Sequence, residues 1–94
     1  GGGFYENIPR MLPEGIEAVI NTNKYKVLPI FDLLQKKGEI SDEAMYNTYN
    51  MGIGMVIGVS EEEAGMAMEA IEAAGEVGYI IGKAHNGDKG VIIC

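Results

Sequence analysis

Ile53-Gly54-Met55-Val56-Ile57-Gly58-Val59, followed at once by Ser60-Glu61-Glu62-Glu63, is the stretch that sets the fold class. Its first part is an apolar run interrupted only by glycines and shows no polar alternation, the pattern of a strand covered on both faces. Its second part is a capping-box signature, in which a serine hydroxyl and a glutamate three residues later satisfy the open amides of a starting helix. Behind it Ala64, Ala67, Met68, Ile71 and Ala74 recur at helical spacing as far as Gly75. A covered strand running straight into an amphipathic helix predicts an α/β domain with 53–59 as the central strand.

Toward the amino terminus, Ser41 with Asp42 and Glu43 predicts a helix start carrying Met45, Tyr46 and Tyr49. Pro29 opens a further helix with Ile30, Leu33 and Leu34 on one face, Lys36 and Lys37 at its negative end and Gly38 as the stop. Both helices are expected to pack on the sheet. Glu17-Ala18-Val19-Ile20 reads as a short strand ended by the turn Asn21-Thr22-Asn23, and Ile8 to Leu12 as a short helix stopped at Pro13. Toward the carboxyl terminus, Gly78 to Ala84 and Gly90 to Ile93 are expected to pair antiparallel across Asn86-Gly87-Asp88-Lys89. The order predicts a two-layer α/β sandwich with a mixed sheet and helices packed on it.

A chain of 94 residues builds one core, burying somewhat over ~60% of the surface it exposes when unfolded. Its 47% apolar and 22% charged residues are ordinary for a globular protein, and no internal repeat or linker divides it. Cys94 is the single cysteine, so no intrachain disulfide forms, and a reduced, cytoplasmic setting is expected. No apolar run approaches the ~20 residues that span a bilayer. The net charge of -7 argues against non-specific nucleic-acid binding, and an anionic ligand would need local donors to offset the same field.

Chemistry-bearing residues concentrate in Gly1-Gly2-Gly3-Phe4-Tyr5-Glu6-Asn7-Ile8-Pro9-Arg10. Bare backbone before a helix start permits close approach of an anion, with Asn7 as a neutral donor and acceptor and Arg10 as a charged fork. A glycine run is also what a cloning remnant leaves, and by spacing alone that reading is favoured, since the run fits neither phosphate-loop pattern. Asn50-Met51-Gly52-Ile53-Gly54 is either a second ligand loop, with Asn50 at a cleft edge, or a strand start where backbone runs close to a helix. His85 has no histidine or cysteine partner at metal spacing and reads as a surface residue beside a turn. Glu61, Glu62 and Glu63 read as helix-start acids, and Met51, Met55, Met66 and Met68 as core filler.

Two of these stretches carry a family resemblance. Gly1 to Gly3 running into Glu6-Asn7-Ile8-Pro9-Arg10, and Tyr49-Asn50-Met51-Gly52-Ile53-Gly54-Met55 with tyrosine where phenylalanine is usual, resemble the C-terminal half of the phosphoribosylformylglycinamidine cyclo-ligases, also called aminoimidazole ribonucleotide synthetases. Pro29-Ile30-Phe31, Leu33-Leu34-Gln35, Gly75-Glu76 and Tyr79-Ile80-Ile81-Gly82 sit at similar spacing, so the resemblance covers essentially the whole chain. It implies that residues 1–94 are the C-terminal part of the synthetase C-terminal domain, without the N-terminal ATP-binding half. The parent would be a homodimeric ligase of purine biosynthesis using ATP and magnesium to close the imidazole ring of formylglycinamidine ribonucleotide. Gly1, Gly2, Gly3, Asn7, Arg10 and Asn50 become substrate- or phosphate-binding candidates, and no metal ligand is assigned. Selenophosphate synthetases and thiamin-phosphate kinases share the architecture, but Glu6 to Arg10 favours the purine enzyme.

With no strand before Gly1, the tripeptide is expected to be unanchored and the isolated chain to be inactive. The alternative is a stand-alone α/β module that binds a small molecule or another chain through an uncovered sheet edge, through which the fragment would also self-associate.

Overall fold

A computed structural model describes residues 1–94. The chain forms helix α1 (Gly3–Asn7), a 3-10 turn (Ile8–Met11), strand β1 (Ile16–Ile20), helices α2 (Pro29–Gly38), α3 (Asp42–Thr48) and α4 (Ala64–Ala73), and strands β2 (Gly82–Asn86) and β3 (Gly90–Ile93). This is an α/β arrangement on a three-stranded mixed sheet, as the alternation of elements predicts.

β1 is the central strand. It runs antiparallel to β2, with Ala18 opposite Ala84, and parallel to β3, with Ala18 opposite Val91. β2 and β3 therefore do not pair with each other as expected. Their connection crosses the start of β1, where the Gly87 amide donates to the Gly15 carbonyl at 2.9 Å. A hairpin of β2 and β3 alone would leave the backbone groups of β1 unmatched; inserting β1 satisfies both of its edges. β2 also begins at Gly82, four residues later than the apolar run suggests.

The eight buried residues are Phe4, Ile8, Ala18, Ile20, Tyr25, Met45, Tyr46 and Met51. Ala18 and Ile20 share one face of β1 by strand alternation, and α1 with its 3-10 extension lies on that face. α3 packs on α1 instead of on the sheet, and α2 reaches the core through Phe31 while Ile30 and Leu33 stay exposed. The expectation that α2 and α3 both cover the sheet fails because α1 occupies that place. α1 itself begins five residues before the predicted Ile8, since Gly2 (φ 95°) and Gly3 (φ 56°) start the turn; Pro9 then brings the 3-10 geometry.

Helix ends follow local chemistry closely. The Ser41 hydroxyl accepts from the Ala44 amide at 3.2 Å, as a cap should. At the end of α2 the left-handed residue is Glu39 (φ 51°), not Gly38. Gly38 makes room instead, because a Cβ there would lie 2.9 Å from Ile40 Cδ1, which folds back on the last turn. Ahead of α4 the Ser60 hydroxyl donates to the Glu63 carboxylate at 3.1 Å, and Gly75 (φ 83°) ends the helix as predicted.

The segment 53–59 is not a strand. It has no regular secondary structure, and Met55, Ile57 and Val59 are 80%, 58% and 48% exposed. Both edges of β1 are already taken, so no ladder position beside the central strand is open to it. A radius of gyration of 14.0 Å, against ~12 Å for a compact chain of this length, reflects these outlying segments. No helix is long and apolar enough to cross a membrane.

Candidate functional site

The first turn of α1 sits directly on the end of α3. A Cβ on Gly3 would run into the Tyr46 carbonyl and lie 2.9 Å from the Tyr49 carbonyl, so only glycine permits this approach. Its consequence is to bring the opening glycines beside Thr48, Tyr49 and Asn50, joining two sequence motifs that are far apart in the chain. Between them lies a cleft of about 670 Å³. Gly1, Gly3, Asn7 and Arg10 line one part of it, Asn50 and Gly54 another, and Phe31, Tyr49, Ile53, Met55 and Val56 give it an apolar wall.

Five of the six residues singled out from sequence thus share one cleft. Gly2 does not line it: the position of its missing Cβ lies 2.8 Å from Glu6 Cβ, so it faces its own helix. Nor is the glycine tripeptide unanchored. The Asn7 side-chain amide donates to the Gly1 carbonyl at 3.0 Å and the Gly3 carbonyl at 2.9 Å, tying the loop to the helix it precedes. Asn50 makes the corresponding anchor on the other side, its Oδ1 accepting from the Gly52 amide at 2.8 Å. That bond closes a turn through two left-handed residues, Met51 (φ 54°) and Gly52 (φ 94°).

Arg10 is exposed, makes no ion pair, and is the charged side chain of the lining; no aspartate or glutamate lines the cleft. A local positive site therefore exists in a chain of net charge -7. A magnesium ion does not fit these residues. No three His, Cys, Asp or Glu side chains converge anywhere, and the cleft itself lacks the carboxylate that such an ion uses alongside phosphate oxygens. His85 lies elsewhere, 2.9 Å from Glu17 across the β1–β2 ladder. Phe31, Thr48 and the aromatic ring of Tyr49 were not singled out as site residues. For Tyr49 the signal is its place directly before Asn50 in the second motif; Phe31 is far from that motif in sequence, and only the fold brings its ring to Tyr49, with centroids 6.1 Å apart.

Fold and cleft together define an α/β domain with one mixed apolar and polar cleft, walled by bare backbone, neutral amides and a single guanidinium. The chain belongs to the AIR synthase related family: the model of that family's C-terminal domain matches residues 1–94. Among relatives, the phosphoribosylformylglycinamidine cyclo-ligase of Lachnoclostridium phytofermentans is 52% identical over 94 residues, all of this chain and 28% of its own length. That of Lachnospira eligens is 53% identical over the same span and share, and that of Brevibacillus brevis 52% identical over 92 residues, 98% of this chain and 27% of its own. The chain thus spans little more than a quarter of the length of the relatives it matches.

Proposed function

We propose that residues 1–94 supply part of the substrate-holding wall of a cyclo-ligase that closes the imidazole ring of formylglycinamidine ribonucleotide to aminoimidazole ribonucleotide, consuming ATP, in de novo purine biosynthesis. The observation that carries this reading is the meeting of Asn7, Arg10 and Asn50 on one cleft, in a chain half identical along its whole length to cyclo-ligases. Arg10 is the group suited to the ribonucleotide phosphate, through charge-assisted bonds that gain strength beside the apolar wall. Nothing lies within 4 Å of the position a Gly1 Cβ would take, so its backbone permits close approach, and Phe31 and Tyr49 exclude water from one side. The protein's part in such chemistry is orientation and charge stabilisation.

ATP and magnesium belong, in this reading, to a part of the protein outside residues 1–94, since the cleft has no carboxylate to hold the ion. The 94-residue chain alone is accordingly inactive, and the whole protein is a cytoplasmic homodimer. Amide NMR of the chain titrated with ribose 5-phosphate tests the site: shifts should concentrate at Gly3, Asn7, Arg10 and Asn50. Shifts confined to the β2 face, or ATP-dependent ring closure by the chain alone, would overturn the respective part of the proposal.

A second reading, an interaction module without chemistry, draws support from the exposed Met55, Ile57 and Val59. In it the chain self-associates through this segment or through the free outer edges of β2 and β3.

A further inference from the structure

The two cleft asparagines are held in opposite senses. Asn7 uses its amino group on two backbone carbonyls, at 3.0 and 2.9 Å, and its Oδ1 has no partner within the chain. Asn50 uses its Oδ1 on the Gly52 amide at 2.8 Å, and its amino group has none. Neither can turn over at low cost. A flipped Asn7 would set an oxygen against two carbonyl oxygens, and a flipped Asn50 would set an amino group against an N–H. The two cleft-lining asparagines therefore leave one acceptor and one donor, both neutral, without partners in the chain, in addition to the Arg10 cation.

We infer that Asn7 and Asn50 select a neutral amide in the substrate, Asn7 Oδ1 accepting its N–H and Asn50 Nδ2 donating to its carbonyl oxygen. This rests on the reading that the cleft holds a ribonucleotide, whose formylglycinamidine side chain carries such an amide. A carboxylate in the same place would face the Asn7 oxygen, and an ammonium would face the Asn50 amino group, so both are disfavoured. Asn7 has a second duty as a positioning residue, because its amino group shapes the glycine loop.

Asn50→Asp separates recognition from structure. The carboxylate keeps an acceptor for the Gly52 amide, so the turn persists, while the donor is replaced by an acceptor. The measurement is the ratio of affinities for two probes, ribose 5-phosphate and the same sugar phosphate bearing an N-formylglycinamide side chain. The unsubstituted chain should favour the amide-bearing probe by about tenfold, the worth of one well-placed hydrogen bond. Asn50→Asp should bring the ratio close to one, because the new carboxylate repels the amide oxygen and so offsets the bond that Asn7 still accepts. Asn50→Ser, whose hydroxyl also closes the turn but sits one bond nearer the backbone than the lost amino group, should lower the ratio several-fold and serves if the aspartate variant does not fold. Arg10→Ala should weaken both probes and leave the ratio unchanged. A ratio of one in the unsubstituted chain, or a tenfold ratio that survives both Asn50 substitutions, overturns amide selection while leaving the phosphate site standing. Failure of ribose 5-phosphate itself to bind overturns the underlying site.

Discussion

The Tyr25 hydroxyl donates to the Tyr46 hydroxyl at 2.8 Å, and both residues are buried. Phe4 packs edge-on against Tyr46, with ring centroids 5.2 Å apart, so the pair ties the segment before α2 to α3 and α1 beneath the cleft. Tyr25→Phe should cost about 1–3 kcal/mol, because it leaves a buried hydroxyl without its partner. Tyr46→Phe should cost a similar amount. The double substitution should cost less than their sum, since no orphaned hydroxyl remains. Urea unfolding of the four proteins measures the coupling directly; strict additivity would mean that the bond contributes nothing.

The same pair makes stability fall at high pH. Burial, then the hydrogen bond to Tyr46, pushes the Tyr25 hydroxyl far above the ordinary tyrosine value of 10.0. Above that value the unfolded chain loses a proton that the folded chain keeps. The folded state then binds more protons, and unfolding free energy declines as pH rises. The contribution is complete below pH 10 and is lost progressively above it. Thermal melts from pH 8 to 11 should show this decline, and Tyr25→Phe should flatten it.

Gly3 and Gly54 should respond oppositely to a methyl group. At Gly3 the backbone is left-handed and the new Cβ meets the Tyr46 carbonyl, which belongs to a helix and cannot yield. Gly3→Ala should destabilise by roughly 3 kcal/mol or more and open the contact between α1 and α3 that forms the cleft. At Gly54 nothing lies within 4 Å of the added atom and φ is ordinary, so Gly54→Ala should change stability by less than about 0.5 kcal/mol. Melting temperatures of the two variants decide this.

What sequence made legible here was set by local chemistry. Ser41, Pro29 and Gly75 act within one turn of themselves, and the elements they begin or end stand where their residue types put them. The two candidate stretches stand out for a different reason, since both carry a family pattern, and the fold brings five of their six candidate residues to one cleft. Strand partnership was not legible. The residues of β2 and β3 do not say whether they pair with each other or enclose β1, because that choice is decided by the needs of a third strand. The run 53–59 misled for a related reason: an apolar segment without alternation looks the same whether its covering layers are present or not.

Ile57 tests the exposed segment. It is 58% exposed, so Ile57→Lys removes little burial and should leave stability within about 0.5 kcal/mol. Met55 and Val59 are exposed with it, and the seven residues 53–59 contain no charge to oppose contact between copies. The unsubstituted chain should therefore associate as concentration rises, and Ile57→Lys should suppress this in sedimentation velocity. A chain that stays monomeric at high concentration without the substitution removes the second reading of its function.

Arg10 separates a binding role from a structural one. Its side chain is exposed and touches no carboxylate, so truncation breaks no ion pair and Arg10→Ala should shift unfolding free energy by less than about 0.5 kcal/mol. On the cleft lining it faces the place proposed for a phosphate, where loss of a charge-assisted bond of about 1.5–3 kcal/mol corresponds to weakening of roughly 10- to 100-fold. Arg10→Lys should restore only part of this, because an ammonium keeps the charge but not the planar fork. Raising salt should weaken ribose 5-phosphate binding to the unsubstituted chain more than to Arg10→Ala, since the screened attraction is absent from the variant. If Arg10→Ala lowers the melting temperature and leaves ribose 5-phosphate affinity and its salt dependence intact, Arg10 is structural and the cleft loses its anion site.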